Sequence, residues 1–246
     1  MRGVYTIWLR NNIRYFRSKS RIIGSLAQPL FFFLALGFGL NAAFAGTGFD
    51  YISFIVPGIV SMAILFTSIF SGIQIIWDKQ FGFLKETLIA PVSRTSIMLG
   101  QTLGGATTSM VQGIFVIIIA LLIGSISLSP GILIALGFML LIGIAFTATG
   151  IAIASRMEDM QGFQLIMNFI IMPIFFLSGA LFPLTNAPAI LNIIAQLNPL
   201  AYGVEGVRYG LLGASAINPL VCFVVLTVFS IVMIFIGAYL FNKTKV

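Results

Sequence analysis

The stretch GILIALGFMLLIGIAFTATGIAIA, from Gly131 to Ala154, contains no Asp, Glu, Lys, Arg, His, Asn or Gln. As an α-helix rising ~1.5 Å per residue it is long enough to cross the ~30 Å hydrocarbon core of a bilayer. Its apolar residues are continuous and do not alternate with polar ones. That pattern selects a helix, which bonds its backbone within its own segment, over a strand of a membrane barrel.

Working outward, comparable runs lie at Ile22 to Ala43, Tyr51 to Trp77, Ile97 to Ile123, Gly162 to Phe182 and Pro219 to Phe241. The sequence therefore predicts an all-α integral membrane protein with six transmembrane helices, read as a single transmembrane domain over residues 1–246. Composition agrees: 59% of residues are hydrophobic, 8% are charged, and the mean hydropathy is +1.12. A water-soluble domain does not stay dissolved with that balance. The arginines before the first run do not make a cleaved leader, because the basic region reaches Arg21 and the run that follows is long enough to span.

A formal charge of +7 is compatible with a nucleic-acid binder, but the positions of the charges point to a membrane and no nucleic acid. With the N-terminus inside, Arg2, Arg10, Arg14, Arg17, Lys19, Arg21, Lys79, Lys85, Arg94, Arg156, Lys243 and Lys245 all fall on the cytoplasmic side. Arg208 alone falls outside, so the positive-inside rule places both termini in the cytoplasm of a multi-pass protein of the cell membrane.

Four segments outside the spans are candidates for function. In residues 1–21, Tyr5, Trp8, Leu9, Ile13 and Phe16 recur at helical spacing, opposite Arg10, Arg14, Arg17 and Arg21. This is the pattern of an amphipathic helix lying in the inner headgroup layer, either as an anchor or as a device that positions the first span. The inner connection over residues 78–95 interleaves charges with Phe81, Phe83, Leu84, Leu88 and Ile89, with Gly82 permitting a bend and Pro91 ending any helix. It suits either a docking element for a cytoplasmic partner or a solvated loop. The turn Ser155 to Met160 reads as a plain polar turn, with a partner contact as the other reading. In the outer segment 183–218, Pro183, Pro188, Pro199 and Pro219 set off two short apolar stretches, Ala189 to Leu197 and Leu200 to Leu212. These predict short re-entrant or interfacial helices between spans five and six, acting as a cap or an outer gate, with Glu205 and Arg208 three apart and able to pair at the outer rim.

Several absences narrow the mechanism. No G-x-x-x-x-G-K-[ST] phosphate loop occurs, so ATP hydrolysis is not expected on this chain. The predicted spans hold no Asp, Glu, Lys, Arg or His, against a proton relay or a carboxylate-based ion-coupled carrier. With no histidine and one cysteine, Cys222, the common metal and nucleophile–base sets are missing as well, so no enzyme is expected. The aromatic runs, Phe31 to Phe33 with Phe175 and Phe176, suit either lipid-facing packing or an amphipathic cargo.

Two patterns together resemble a known family. One is Ile171-x-x-Ile174-x-x-Leu177-Ser178-x-Ala180, Ala187-Pro188, then Pro199-Leu200-x-Tyr202 and Arg208. The other is Asp78-Lys79-Gln80-x-Gly82 with Glu86 and Ala90-Pro91-Val92-Ser93-Arg94. Both are similar to the signatures of type-2 ABC transporter permeases, the group of drug, lipid-linked glycan and nodulation-factor exporters, with Gln80 standing where that family usually has an acid. The likeness covers essentially the whole chain.

The resemblance implies an exporter's membrane subunit powered by a separate ATPase, with ATP and magnesium on that partner and no cofactor on this chain. It implies two ATPase subunits and a second permease copy, as a homodimer. It implies that Asp78, Lys79, Gly82, Phe83, Glu86 and Arg94 meet the ATPase through a coupling loop, and that Pro188, Pro199, Tyr202, Glu205 and Arg208 belong to the signature and an outer gate. An ATP-independent channel or facilitator is the alternative. In a Cys222→Ser background, Ser127→Cys is expected to react with a membrane-impermeant maleimide added outside and Glu158→Cys only with reagent admitted to the inner side; the reverse pattern overturns the orientation.

Overall fold

With no solvent to satisfy peptide groups in hydrocarbon, each apolar run closes its own hydrogen bonds as helix. The computed structural model describes residues 2–43, 50–81, 92–184 and 188–243, and among these the regular structure is entirely helical. In chain order the helices are α1 (Arg2–Arg17), α2 (Lys19–Ala43), α3 (Tyr51–Ser71), α4 (Ile73–Gln80), α5 (Arg94–Ile123) and α6 (Ile132–Ser155). There follow α7 (Met160–Ile166), a π-helical turn (Met167–Ile171), α8 (Met172–Phe176), α9 (Ala189–Leu197), α10 (Pro199–Leu212) and α11 (Pro219–Asn242).

Five helices are long and apolar enough to cross a membrane: Ile22–Asn41, Tyr51–Gln80, Arg94–Ile123, Ile132–Ser155 and Pro219–Asn242. The expected span from Gly162 to Phe182 is the shorter apolar helix Met160–Phe176, which stops six residues early. Pro173 has no N–H to donate, and the helix absorbs this with the π turn just before it, where Met172 N–H reaches back to the Met167 carbonyl. After Phe176 the chain turns away at Gly179, whose φ of +73° a side chain would strain.

Helix α3 is the centre of the bundle and packs on α2, α5, α6 and α10. Ile55, Ile59, Ile64, Leu65 and Ile69 are fully enclosed along it. Helices α2 and α11 present much of their surface outward, as Phe31 and Phe235 do. The phenylalanines singled out by sequence divide: Phe33 and Phe175 are buried, and Phe31 and Phe176 are exposed.

Two Asn-Pro pairs start helices. Asn198 and Asn218 accept hydrogen bonds from the N–H groups of Leu200 and Leu220, while Pro199 and Pro219 occupy first-turn positions where a missing N–H costs nothing. Helices α3 and α6 cross where Gly72 faces Gly150, close enough that a Cβ on Gly150 would lie 2.6 Å from the Ile69 carbonyl oxygen. Gly137 on the same α6 has nothing within 4 Å of its would-be Cβ. Gly150→Ala is therefore expected to lower the thermal midpoint of the detergent-solubilised chain, at a cost of about 1–3 kcal/mol from overpacking, and Gly137→Ala to leave it unchanged. Equal midpoints for the two variants would remove the crossing from the account.

Candidate functional site

At the C-terminal end of α4, two charged residues are committed to the chain's own packing. Asp78 is 2% exposed. It accepts a hydrogen bond from Gln74 Nε2 at 2.8 Å and faces Arg10 at 3.7 Å and Arg14 at 3.9 Å. At those separations the arginines act on it as charges and not as hydrogen-bond donors. Both project from α1, which thereby neutralises a buried carboxylate. The apolar face read from sequence splits accordingly, with Tyr5, Leu9, Ile13 and Phe16 outward and Trp8 turned in, donating to the Thr107 hydroxyl at 3.0 Å.

Lys79 points the other way. Its Nζ donates to the carbonyls of Ala154 at 3.3 Å, Ser155 at 2.8 Å and Met157 at 3.2 Å, which caps the C-terminus of α6 with a cation, where the helix dipole favours one. Gln80 Nε2 adds a bond to the Glu158 carbonyl at 3.1 Å. The Ser155 to Met160 turn, which the sequence presents as a plain polar turn, is thus where the end of α4 is seated. Nothing local in the sequence signals this, because Lys79 recognises backbone carbonyls and not particular side chains. Arg94, the first residue of α5, donates to the Asn242 carbonyl at 2.7 Å and so links the start of α5 to the end of α11. Residues 82–91, with Gly82, Phe83, Lys85, Glu86, Ala90 and Pro91, lie outside the described residues, as do Ala187 and the C-terminal Lys245.

Neutral amides inside the bundle also join its helices. Gln112, fully buried on α5, donates to the Tyr15 hydroxyl of α1 and, at 2.6 Å, to the Ser25 hydroxyl of α2. One glutamine thereby joins the interfacial helix to the first span. Glutamine in an otherwise apolar run was the available signal.

The segment between α8 and α11 forms a second cluster. Glu205 and Arg208 do pair, and the pair is buried: they are 6% and 8% exposed on α10, which packs on α3, α6 and α11. Arg208 Nη2 donates to the Gly179 carbonyl at 2.9 Å, and its guanidinium sits 4.4 Å from the centre of the Phe54 ring. The other Glu205 oxygen accepts from the Ala216 N–H at 2.6 Å. Helix α10 is therefore packed in protein along much of its length, while α9 keeps Ile190, Ile193 and Leu197 exposed.

The signature positions meet here. Ser178 and Ala180 are buried in the turn after α8, the Ala180 carbonyl abuts Gly58 of α3, and Asn198 donates to the Ile174 carbonyl at 2.6 Å. The Tyr202 hydroxyl donates to the Gln196 carbonyl at 2.8 Å, tying α10 to α9. Pro199 opens α10, and Pro188 precedes α9 at an exposed position. A cavity of about 440 Å³ lies over Phe54, Ser178, Asn192, Gln196, Glu205 and Arg208.

Residues 2–212 match the family model described as "ABC-2 type transporter". Among curated relatives, the transport permease ycf38 of Pyropia yezoensis is 30% identical over 205 residues, covering 80% of this chain and 69% of that protein. Nodulation protein J of Sinorhizobium fredii (strain NBRC 101917 / NGR234) is 27% identical over 210 residues, covering 84% of this chain and 80% of the relative. The inner membrane transport permease YadH of Escherichia coli (strain K12) is 28% identical over 193 residues, covering 78% and 73%.

Removing one member of a buried ion pair strands its partner and costs about 3–5 kcal/mol, whereas replacing both with apolar groups is close to neutral. Glu205→Gln is accordingly expected to lower the thermal midpoint more than the double variant Glu205→Leu with Arg208→Met. A double variant less stable than the single one would show that the pair acts through something other than mutual neutralisation.

Proposed function

Because the chain belongs to the ABC-2 type transporter family, we propose that it is the membrane subunit of an ATP-driven exporter whose ATPase resides on a separate polypeptide. ATP and magnesium belong to that partner, two copies of which meet two copies of this chain, as a homodimer in the cell membrane with both termini in the cytoplasm. The cargo class is drug-like, lipid-like or glycan.

The observation that carries the reading is the anchoring of Asp78 and Lys79 at the root of the 82–91 connection. Asp78 ties that root to α1 through Arg10 and Arg14, and Lys79 ties it to the end of α6 and the turn before α7. A push delivered to the connection is therefore not lost in a loose loop, and a small rigid shift of this kind can be amplified by a bundle with two discrete packings. On this reading Gly82, Phe83 and Glu86, with Arg94 at the far end, meet the ATPase, while Asp78 and Lys79 pass the movement inward. The outer cluster around Pro188, Pro199, Tyr202, Glu205 and Arg208 closes the exit, with the Arg208 contact to the Gly179 carbonyl as the joint that opens.

The test is to purify the chain and its Glu86→Arg variant with a candidate ABC ATPase from the same organism and to measure hydrolysis in nanodiscs. Wild type is expected to hold the ATPase and change its turnover, and the charge-reversed loop to lose both effects by about tenfold or more. A wild-type chain that binds no ATPase and passes solute without ATP would replace the exporter with a channel or facilitator.

A further inference from the structure

Helix α1 and the start of α2 meet at an elbow, and an open surface groove along it is lined by Arg10, Arg14, Arg17 and Lys19 together with Leu9 and Ile13. Neither α1 nor the first turn of α2 contains an acid. Among the described residues, the one carboxylate within 4 Å of these cations is Asp78, which Arg10 and Arg14 share. The side chains of Arg17 and Lys19 are exposed and have neither an ion pair nor a hydrogen-bond partner among the described residues. One carboxylate against four cations leaves a positive surface that the chain does not neutralise itself.

The rest of the groove narrows the choice of counter-charge. Leu9 and Ile13 are exposed members of the outward apolar row of α1, so the same groove offers cations and hydrocarbon side by side. At its other end Lys19 stands three residues before the span that begins at Ile22, ~4.5 Å along a helix. The cations therefore lie at the level where a bilayer carries its phosphates, with the apolar row able to enter the acyl boundary. A soluble polyanion would leave Leu9 and Ile13 facing water. A phospholipid satisfies both halves of the groove, phosphate on guanidinium and ammonium, hydrocarbon on the apolar side chains. Clusters of Lys and Arg on an amphipathic helix beside a span favour lipids of net negative charge over zwitterionic ones.

We propose that the elbow of α1 and α2 is a binding site for an anionic phospholipid of the adjoining leaflet, with Arg17 and Lys19 holding its phosphate and its acyl part lying along Leu9 and Ile13. Arg10 and Arg14 keep their contacts with Asp78 and add positive potential to the site. The site needs only this chain, so it stands or falls without regard to an ATPase or to export.

The full chain, extracted in dodecyl maltoside, is examined by native mass spectrometry with phosphatidylglycerol or phosphatidylcholine added in turn. Phosphatidylglycerol is expected to be retained at a discrete stoichiometry, phosphatidylcholine not, and inorganic phosphate is expected not to displace it. The double variant Arg17→Gln with Lys19→Gln is expected to weaken retention about tenfold or more, and its thermal midpoint in lipid-free detergent to equal that of wild type, because neither side chain bonds within the chain. The charge-conserving pair Arg17→Lys with Lys19→Arg is expected to keep retention. So is Lys243→Gln, which removes an exposed cation at the end of α11, away from the groove. Equal retention by wild type and the neutralised double variant, an equal loss from Lys243→Gln, equal retention of the two lipids, or displacement by phosphate alone would each overturn the proposal.

Discussion

The constraint on which this structure depends is the absence of hydrogen-bonding solvent across the hydrocarbon region. Peptide groups there must bond within the protein, and this makes the chain helical and ties its helix ends to specific partners. The same requirement governs the side chains. Glu205 and Arg208 are buried together with a carbonyl, a backbone N–H and an aromatic face arranged around them. Asp78 is enclosed only because α1 brings two arginines to it. Lys79 spends its charge on the open carbonyls at the end of α6.

These polar groups also define the mechanical units. At one end of the bundle, α1, α4 and the turn between α6 and α7 are joined through two adjacent residues. In a second cluster, the turn after α8, the buried α10 and the segment before α11 are joined through one ion pair. Between them, α3 is enclosed mainly by apolar contacts. In the proposed exporter, movement enters at the first junction and is released at the second. Neither junction lies in a long apolar run, where an unpaired charge would be expensive; each lies at a helix end or on a helix shielded by others.

The fold was legible because apolar length and positive-charge placement are one-dimensional properties. The outer helices Ala189–Leu197 and Pro199–Leu212 were readable for a related reason: prolines and Asn-Pro pairs are local start signals. The fifth run was overestimated at its C-terminal end, because Leu177 to Phe182 is apolar enough to continue a helix but is drawn instead into the turn at Gly179. Burial of Glu205 and Arg208 was hidden, since spacing of three shows that two residues can meet but not what covers them.

By itself, the sequence determined that this is a multi-pass helical membrane protein, where five of its spans fall to within a few residues, and which segments between them carry the family's pattern. Those follow from hydropathy and local backbone chemistry, which act over a few turns of chain. Only the tertiary structure decided that Asp78 belongs to α1, that Lys79 caps α6, that α10 is buried, and that Gln112 of α5 bonds side chains of α1 and α2. Each of these is a contact between residues far apart in the chain, and it exists because helices packed side by side must satisfy one another's polar groups where water cannot.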